Sequence, residues 1–344
     1  MAYTTVNKST DYFNTKLYTG NGTTDTAITG IGFQPDWTWI KARDMAYDHN
    51  VMDSVRGSTK RIATNLDAAE STQAEMIKSF ASDGFNLGDN GGVNQNTKTY
   101  VAYNWKANSA GSANTDGTIN STVSANTTSG FSIVKYTGNG SNNASVGHGL
   151  GVAPKIVFFK VLTVANDWRV QYSFVDGSRD RLKLNTTTDK YDSPSVTDNS
   201  NSLFYLDTGS EQNSNSQSYI AYCFAEKTGY SKFGYYTGNG STDGPFIYTG
   251  FKPAWVLQKN FTNNSSNDWT LADNKRPGYN ETNKRMVPNN TDTEAQNNEI
   301  DFLSNGFKIR REQSNTNASG NTYIYMAFAE APLVGSNNVP CTAR

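Results

Sequence analysis

Three stretches of this chain alternate apolar and polar positions and are rich in Tyr, Val, Ile and Phe. They are 100–107 (Tyr-Val-Ala-Tyr-Asn-Trp-Lys-Ala), 219–226 (Tyr-Ile-Ala-Tyr-Cys-Phe-Ala-Glu) and 323–330 (Tyr-Ile-Tyr-Met-Ala-Phe-Ala-Glu). A period of two with aromatic and β-branched residues predicts strands with two usable faces. Shorter apolar runs at 37–40, 156–159 and 255–257 predict further strands, as does 131–136, which ends in a tyrosine. Only 67–79, with Ala, Glu, Met and Ile behind an acidic start, predicts a helix. Helical periodicity is absent elsewhere, so the expected class is all-β.

The strands recur as part of a longer repeat. Tyr-Thr-Gly-Asn-Gly occurs at 18–22, 136–140 and 236–240. Each copy is followed by a Gly-x-x-Pro segment ending in a lysine, with nine residues from Gly32 to Lys41, Gly151 to Lys160 and Gly250 to Lys259. Next come an Asp-aromatic pair (Asp48-His49, Asp167-Trp168, Asp268-Trp269) and an Arg-x-x-x-Asn step (Arg61/Asn65, Arg181/Asn185, Arg285/Asn289). The alternating strand then closes the unit. Asn-Gly after a strand is a hairpin-turn signal, because both residues accept positive φ. The expected organisation is a leader (1–17), repeat 1 (18–107), a small polar linker (108–130), repeat 2 (131–226), repeat 3 (227–330) and a docking tail (331–344). The expected architecture is three tandem β-sandwiches, jelly-roll-like or lectin-like.

Composition narrows the function classes. The formal net charge of −1 offers no basic field for nucleic acid or an anionic membrane. No stretch is long and apolar enough to span a bilayer. The start has no apolar signal-like run, which predicts synthesis in a cytoplasm. Cys223 and Cys341 are too few for a disulfide framework and are expected as free thiols.

Chemistry has few candidates. The pairs Asp167-Trp168 and Asp268-Trp269 could form glycan sites, the carboxylate taking hydroxyl hydrogen bonds and the indole stacking on C–H groups. Their matching positions in the repeats favour core packing of the tryptophans over such a site. His49 and His148 lie in different repeats, away from metal-ligand spacing. The polar loops 189–199 and 263–268 match no EF-hand pattern. No nucleophile elbow, P-loop or dinucleotide glycine pattern is present, so no catalytic residue, cofactor or metal is expected.

Several strings carry a family resemblance. They include Met1-Ala-Tyr-Thr-Thr-Val-Asn-Lys, the run 12–22, Asp53-Ser-Val-Arg-Gly57, Tyr230-Ser-Lys-Phe-Gly234, the close at 323–332 and Val339-Pro-Cys-Thr-Ala-Arg344. With the Gly-x-x-Pro segment at 32–41, they resemble repeat proteins of tailed bacteriophages, especially marine ones. The resemblance implies a virion-associated, tail-fibre-like protein that works with other virion proteins, and supplies no catalytic residue. Three functions follow as expectations: a tail-fibre or receptor-binding component touching host-surface polysaccharide, a capsid decoration, head-fibre or fixed tail component, and a polysaccharide depolymerase. The first is preferred, because Tyr-, Asn- and Ser-rich loops suit adaptable polar contact. A homo-oligomer is expected, with a trimer suiting tail-fibre symmetry.

Overall fold

The computed structural model describes residues 4–193, 197–262, 267–277, 280 and 282–332. Cys341, most of the tail, the first three residues and parts of the 189–199 and 263–268 loops lie outside this set. The structure is all-β, built from several antiparallel sheets.

Each repeat contributes a larger sheet in which the opening strand pairs with the closing strand and the closing strand with the strand that ends near the repeated lysine. In repeat 1 these are Phe13–Thr19, Thr99–Trp105 and Trp37–Ala42. In repeat 2 they are Phe131–Thr137, Ser218–Phe224 and Ile156–Val161. In repeat 3 they are Ser231–Thr237, Thr322–Pro332 and Phe251–Asn260. The register repeats as well: Tyr18 faces Tyr100, Tyr136 faces Tyr219 and Tyr236 faces Tyr323. A second sheet covers the outer side of each; it is the smaller of the two in repeats 1 and 2, while in repeat 3 both sheets have four strands.

Period-two alternation explains why each larger sheet is buried on both faces. In the three closing strands Tyr100 and Ala102, Tyr219 and Ala221, and Tyr323 and Tyr325 point into a core private to their own repeat. The alternate residues enter one core shared by all three repeats: Val101, Tyr103 and Trp105; Ile220, Tyr222 and Phe224; Ile324, Met326 and Phe328. Aromatic rings cross between repeats there. Trp37 stacks on Tyr222 at 4.7 Å, Trp105 meets Trp255 edge-on at 5.5 Å, and Phe224 meets Phe328 at 6.0 Å. Each such pair adds about 0.5–1.5 kcal/mol beyond area burial. The repeats are thus fused through a common interior.

Three local expectations change. Segment 67–79 contains no helix; Ser71–Thr72 and Ile77–Ala81 are strands, and the latter forms a hairpin with Gly84–Leu87 through Ser82 and Asp83. The Asp-Gly turn signal at 83–84 overrides the helical propensity of the residues before it. Segment 108–130 is more than a linker: Ser112–Asn114 and Ser121–Asn126 add two strands to the larger sheet of repeat 2.

The Tyr-Thr-Gly-Asn-Gly segment is not a two-residue hairpin. Only its last glycine has positive φ (+69° at Gly22, +70° at Gly140, +65° at Gly240), whereas a type I′ turn needs two such residues. The chain leaves the larger sheet here and crosses to the smaller one. A buried asparagine pins the crossing in every repeat. Asn94 Oδ1 accepts from the Asn21 amide at 3.0 Å and its carbonyl accepts from Gly22 at 2.8 Å; Asn213 and Asn317 do the same for repeats 2 and 3. The opening tyrosine stacks on the closing one, 5.0 to 5.4 Å apart, and the closing hydroxyl accepts from a loop amide beside the asparagine.

The first glycine of the motif is required by space. A Cβ on Gly138 would lie 2.4 Å from the Ser214 carbonyl oxygen. Gly138→Ala is therefore expected to cost about 2 kcal/mol or more in urea unfolding. Gly177→Ala, where φ is +87° but nothing lies within 4 Å of the new methyl, is expected to cost about 1 kcal/mol from backbone strain alone.

Candidate functional site

The repeated landmarks converge on the seams between repeats. In each Asp-aromatic pair the Asn of the Arg-x-x-x-Asn step bridges both residues. Its side-chain oxygen accepts from the aromatic residue's backbone N–H at 2.9 Å (Asn65 to His49, Asn185 to Trp168, Asn289 to Trp269). Its amide donates to the aspartate at 2.7 to 2.8 Å. This clamp aims the aromatic ring out of its own repeat. Trp168 Nε1 donates to the Ala63 carbonyl of repeat 1 at 2.8 Å, and Trp269 Nε1 to the Lys183 carbonyl of repeat 2 at 2.9 Å.

Ala63 and Lys183 each stand two residues before the clamp asparagine, and the matching position in repeat 3 is Val287. Its carbonyl faces His49, which closes the ring of seams. Trp39 Nε1 donates to His49 Nδ1 at 3.0 Å, so the neutral ring carries its proton on Nε2. Burial holds His49 well below the ordinary imidazole range, and Lys41 and Arg276 add to the effect.

The candidate glycan residues are therefore part of these seams. Trp168 and Trp269 are 0% and 1% exposed, so neither indole has a face open to a sugar. Asp167 is paired with Lys183 at 2.5 Å and holds Asn185, and Asp268 holds Asn289. Burial raises the Asp167 carboxyl, but Lys183 and Asn185 outweigh it and leave it below its ordinary value.

The three repeated lysines are fully buried and end on backbone carbonyls. Lys160 Nζ reaches Asn166 at 2.8 Å and, across the seam, Asp67 of repeat 1 at 2.9 Å. Lys259 reaches Asn267 at 2.7 Å and Thr187 of repeat 2 at 3.1 Å, and Lys41 reaches Ala42 and Met45. Burial pulls each down to about 8, partly offset by nearby aspartates.

Two seams hold a buried ionic group. Between repeats 1 and 2, Arg56 pairs with Asp53 at 2.5 Å and Glu70 at 3.1 Å, and the Tyr222 hydroxyl of repeat 2 donates to Asp53 at 2.7 Å. Between repeats 3 and 1, Arg276 pairs with Asp273 and Glu294, and the Tyr103 hydroxyl of repeat 1 donates to Asp273 at 2.8 Å. Burial alone would lower the Arg56 guanidinium, but Asp53, Tyr222 and Glu70 hold it above its ordinary value. The seam between repeats 2 and 3 replaces the whole set. Tyr172 and Val175 stand where the Asp and Arg stand elsewhere, and Met326 stands where the tyrosine does.

Arg61 and Arg285 pair within their own repeats, with Asp48 and Glu299, and Arg181 covers the Tyr191 ring at 4.3 Å. His148 is buried and accepts from the Leu150 amide. Among the described residues no group of three or more His, Cys, Asp or Glu is arranged to hold a metal. The buried asparagines 94, 213 and 317 escaped the sequence reading. Their constant distance of six residues before the closing tyrosine was the available signal.

One accessible feature lies away from the seams. A cleft of about 370 Å3 opens at one end of repeat 3, lined among others by Glu226, Thr228, Ser231, Lys232, Tyr248 and Thr249. Among the described residues the exposed large hydrophobics are Val164, Tyr235, Phe246 and Tyr248, and the last three belong to repeat 3.

These features define an all-β protein of three interlocked repeats with its charged landmarks turned inward. The chain belongs to a family described as a domain of unknown function (DUF7483), whose model matches residues 8–332. No curated protein and no solved structure matches it.

The ionic seams are unequal in a measurable way. Tyr222→Phe removes a donor from buried Asp53 and is expected to cost about 1–3 kcal/mol in urea unfolding. Tyr172→Phe should cost clearly less, because the Tyr172 hydroxyl has no hydrogen-bond partner among the described residues. The lysines predict a pH dependence. With the folded value near 8 and the unfolded value near 10.5, the unfolded chain binds more protons across that window, so stability from Lys160 rises with pH. The stability gap between wild type and Lys160→Met is expected to widen by about 1–3 kcal/mol from pH 7.5 to pH 10, measured by urea titration at both pH values.

Proposed function

We propose that this protein is a bacteriophage virion structural protein, acting as a tail-fibre or receptor-binding component that meets host-surface glycan. In this reading each repeat is a sandwich of its larger and smaller sheet, jelly-roll-like or lectin-like, fused to its neighbours. The observation that carries it is the closure of three repeats on one core. The repeated Asp, Trp, Lys and Asn residues are used to hold that closure, which leaves polar loops and a few exposed aromatic rings as the outward surface. Such a surface suits binding and assembly, and repetition multiplies docking area. The family-like strings at 12–22, 32–41 and 323–332 support a virion setting. The glycan contact is now assigned away from Trp168 and Trp269, whose indoles are enclosed.

The closure also places a quasi-threefold arrangement inside one chain. That supports a position on a symmetric part of the particle, alongside other virion proteins, with self-association of whole chains as part of the proposal. Gold-labelled antibody to the chain, applied to intact particles and viewed by electron microscopy, tests the reading. Label confined to the tail is the expected result. Label spread over the head would replace it with a capsid decoration or head-fibre role, and unlabelled, well-preserved particles would overturn the virion reading.

A further inference from the structure

We infer that the cleft at the end of repeat 3 is a saccharide-binding site in which Tyr248 supplies the stacking surface and Glu226 and Lys232 the polar contacts. The inference rests on the glycan-contact reading above and names its site and ligand class.

The geometry of the cleft carries the argument. Phe246 and Tyr248 lie two apart on the strand Phe246–Tyr248, so both face outward while Ile247 between them enters the core of repeat 3. They are 46% and 59% exposed, an unusual amount of ring surface for a chain whose other large aromatics are mostly interior. Opposite Tyr248 in the paired strand stands Gly306, where a Cβ would lie 2.1 Å from the Ile247 carbonyl oxygen and 2.9 Å from the Phe246 ring.

Tyr248 borders the cleft, and the other walls are polar. Glu226 is held rigidly: its Oε1 accepts from the Phe233 amide at 2.8 Å and its Oε2 pairs with Lys155 at 2.7 Å. Lys232 sits 3.5 Å from Glu226 with its side chain 42% exposed, so its ammonium keeps donors free for a ligand. Gly229 and Gly250 line the same space without side chains. The volume falls within the range of small-ligand sites.

An aromatic face beside a fixed carboxylate, an ammonium and the exposed Thr228 matches a sugar ring, which is apolar on its C–H faces and polar around its rim. The alternatives fit less well. An apolar ligand would meet Glu, Lys, Ser and Thr walls. A phosphate-bearing ligand would meet Glu226 and find no arginine among the lining residues. Nucleic acid would meet a chain of net charge −1.

The test uses the full chain and a printed array of bacterial capsular and lipopolysaccharide oligosaccharides, followed by biolayer titration of the strongest binder. Wild type is expected to bind. Tyr248→Ala should weaken the titrated affinity at least tenfold and Lys232→Ala several-fold, with unchanged melting curves because both side chains are largely exposed. Tyr235→Ala, on the opposite face of its strand from Lys232, should bind as wild type does. Absence of binding by wild type to every oligosaccharide overturns the inference. So does binding that survives both cleft substitutions, or that Tyr235→Ala alone abolishes. Gold labelling on the tail combined with any of these failures sinks the cleft and leaves the virion reading standing. Cleft-dependent sugar binding without particle labelling does the reverse.

Discussion

Burying both faces of the three closing strands is the constraint on which the rest of the structure depends. A strand with one wet face can leave polar groups to solvent. Here Tyr103, Tyr222 and Met326 enter a common interior from three directions, so each polar group near them needs a partner from a neighbouring repeat. The indoles of Trp168 and Trp269, the ammoniums of Lys160 and Lys259 and the Arg–Asp–Tyr groups meet that need. Removing one member of such a set strands the others without water, which is why these residues recur at fixed spacing along the chain.

The seams are alike in plan and different in detail. Trp168 and Trp269 reach carbonyls across two of them, while His49, shorter than an indole, occupies the third and is itself steadied by Trp39. Two seams carry a buried ion pair with a tyrosine, and the third carries Tyr172 facing the methionine-bearing repeat. An Asp–Arg pair set against Met326 would lose its hydroxyl donor, and Tyr222 set against Tyr172 would lose its carboxylate. Each repeat is therefore matched to one neighbour, and wrong pairings are penalised by desolvated polar groups.

Much of this was legible in the sequence. The repeated landmarks, the strands at 37–40, 156–159 and 255–257, and the alternation of the closing runs all follow from residue pattern, although the opening strand of repeat 1 starts at Phe13, inside the expected leader 1–17. The alternation also implied two usable faces, but not that the second would be shared by three repeats, because period alone does not say what covers a face. The helix expected at 67–79 failed where Asp83-Gly84 set a hairpin. The polar stretch 108–130 hid two strands because their residues (Ser112–Asn114, Ser121–Asn126) are nearly all small or polar, although Ser121, Val123 and Ser124 are buried. The tryptophans drew attention as ligands through their chemistry, when their matching place directly after an aspartate in two repeats already favoured a packing role. The cleft of repeat 3 left no trace, since Glu226, Lys232 and Tyr248 are neighbours only after folding.

The last seam to form joins the two ends of the chain. Arg43 and Glu294 are 251 residues apart, and Thr64 and Pro288 are 224 apart, whereas Lys160 and Asp67 are separated by 93. During synthesis the first repeat therefore waits with one flank of its core uncovered until the third has left the ribosome. Contacts of such long range are slow to form and expose apolar surface meanwhile. Tyr103 and Trp39 complete their environments only against repeat 3, so the first and third repeats are tied together across the whole of the second.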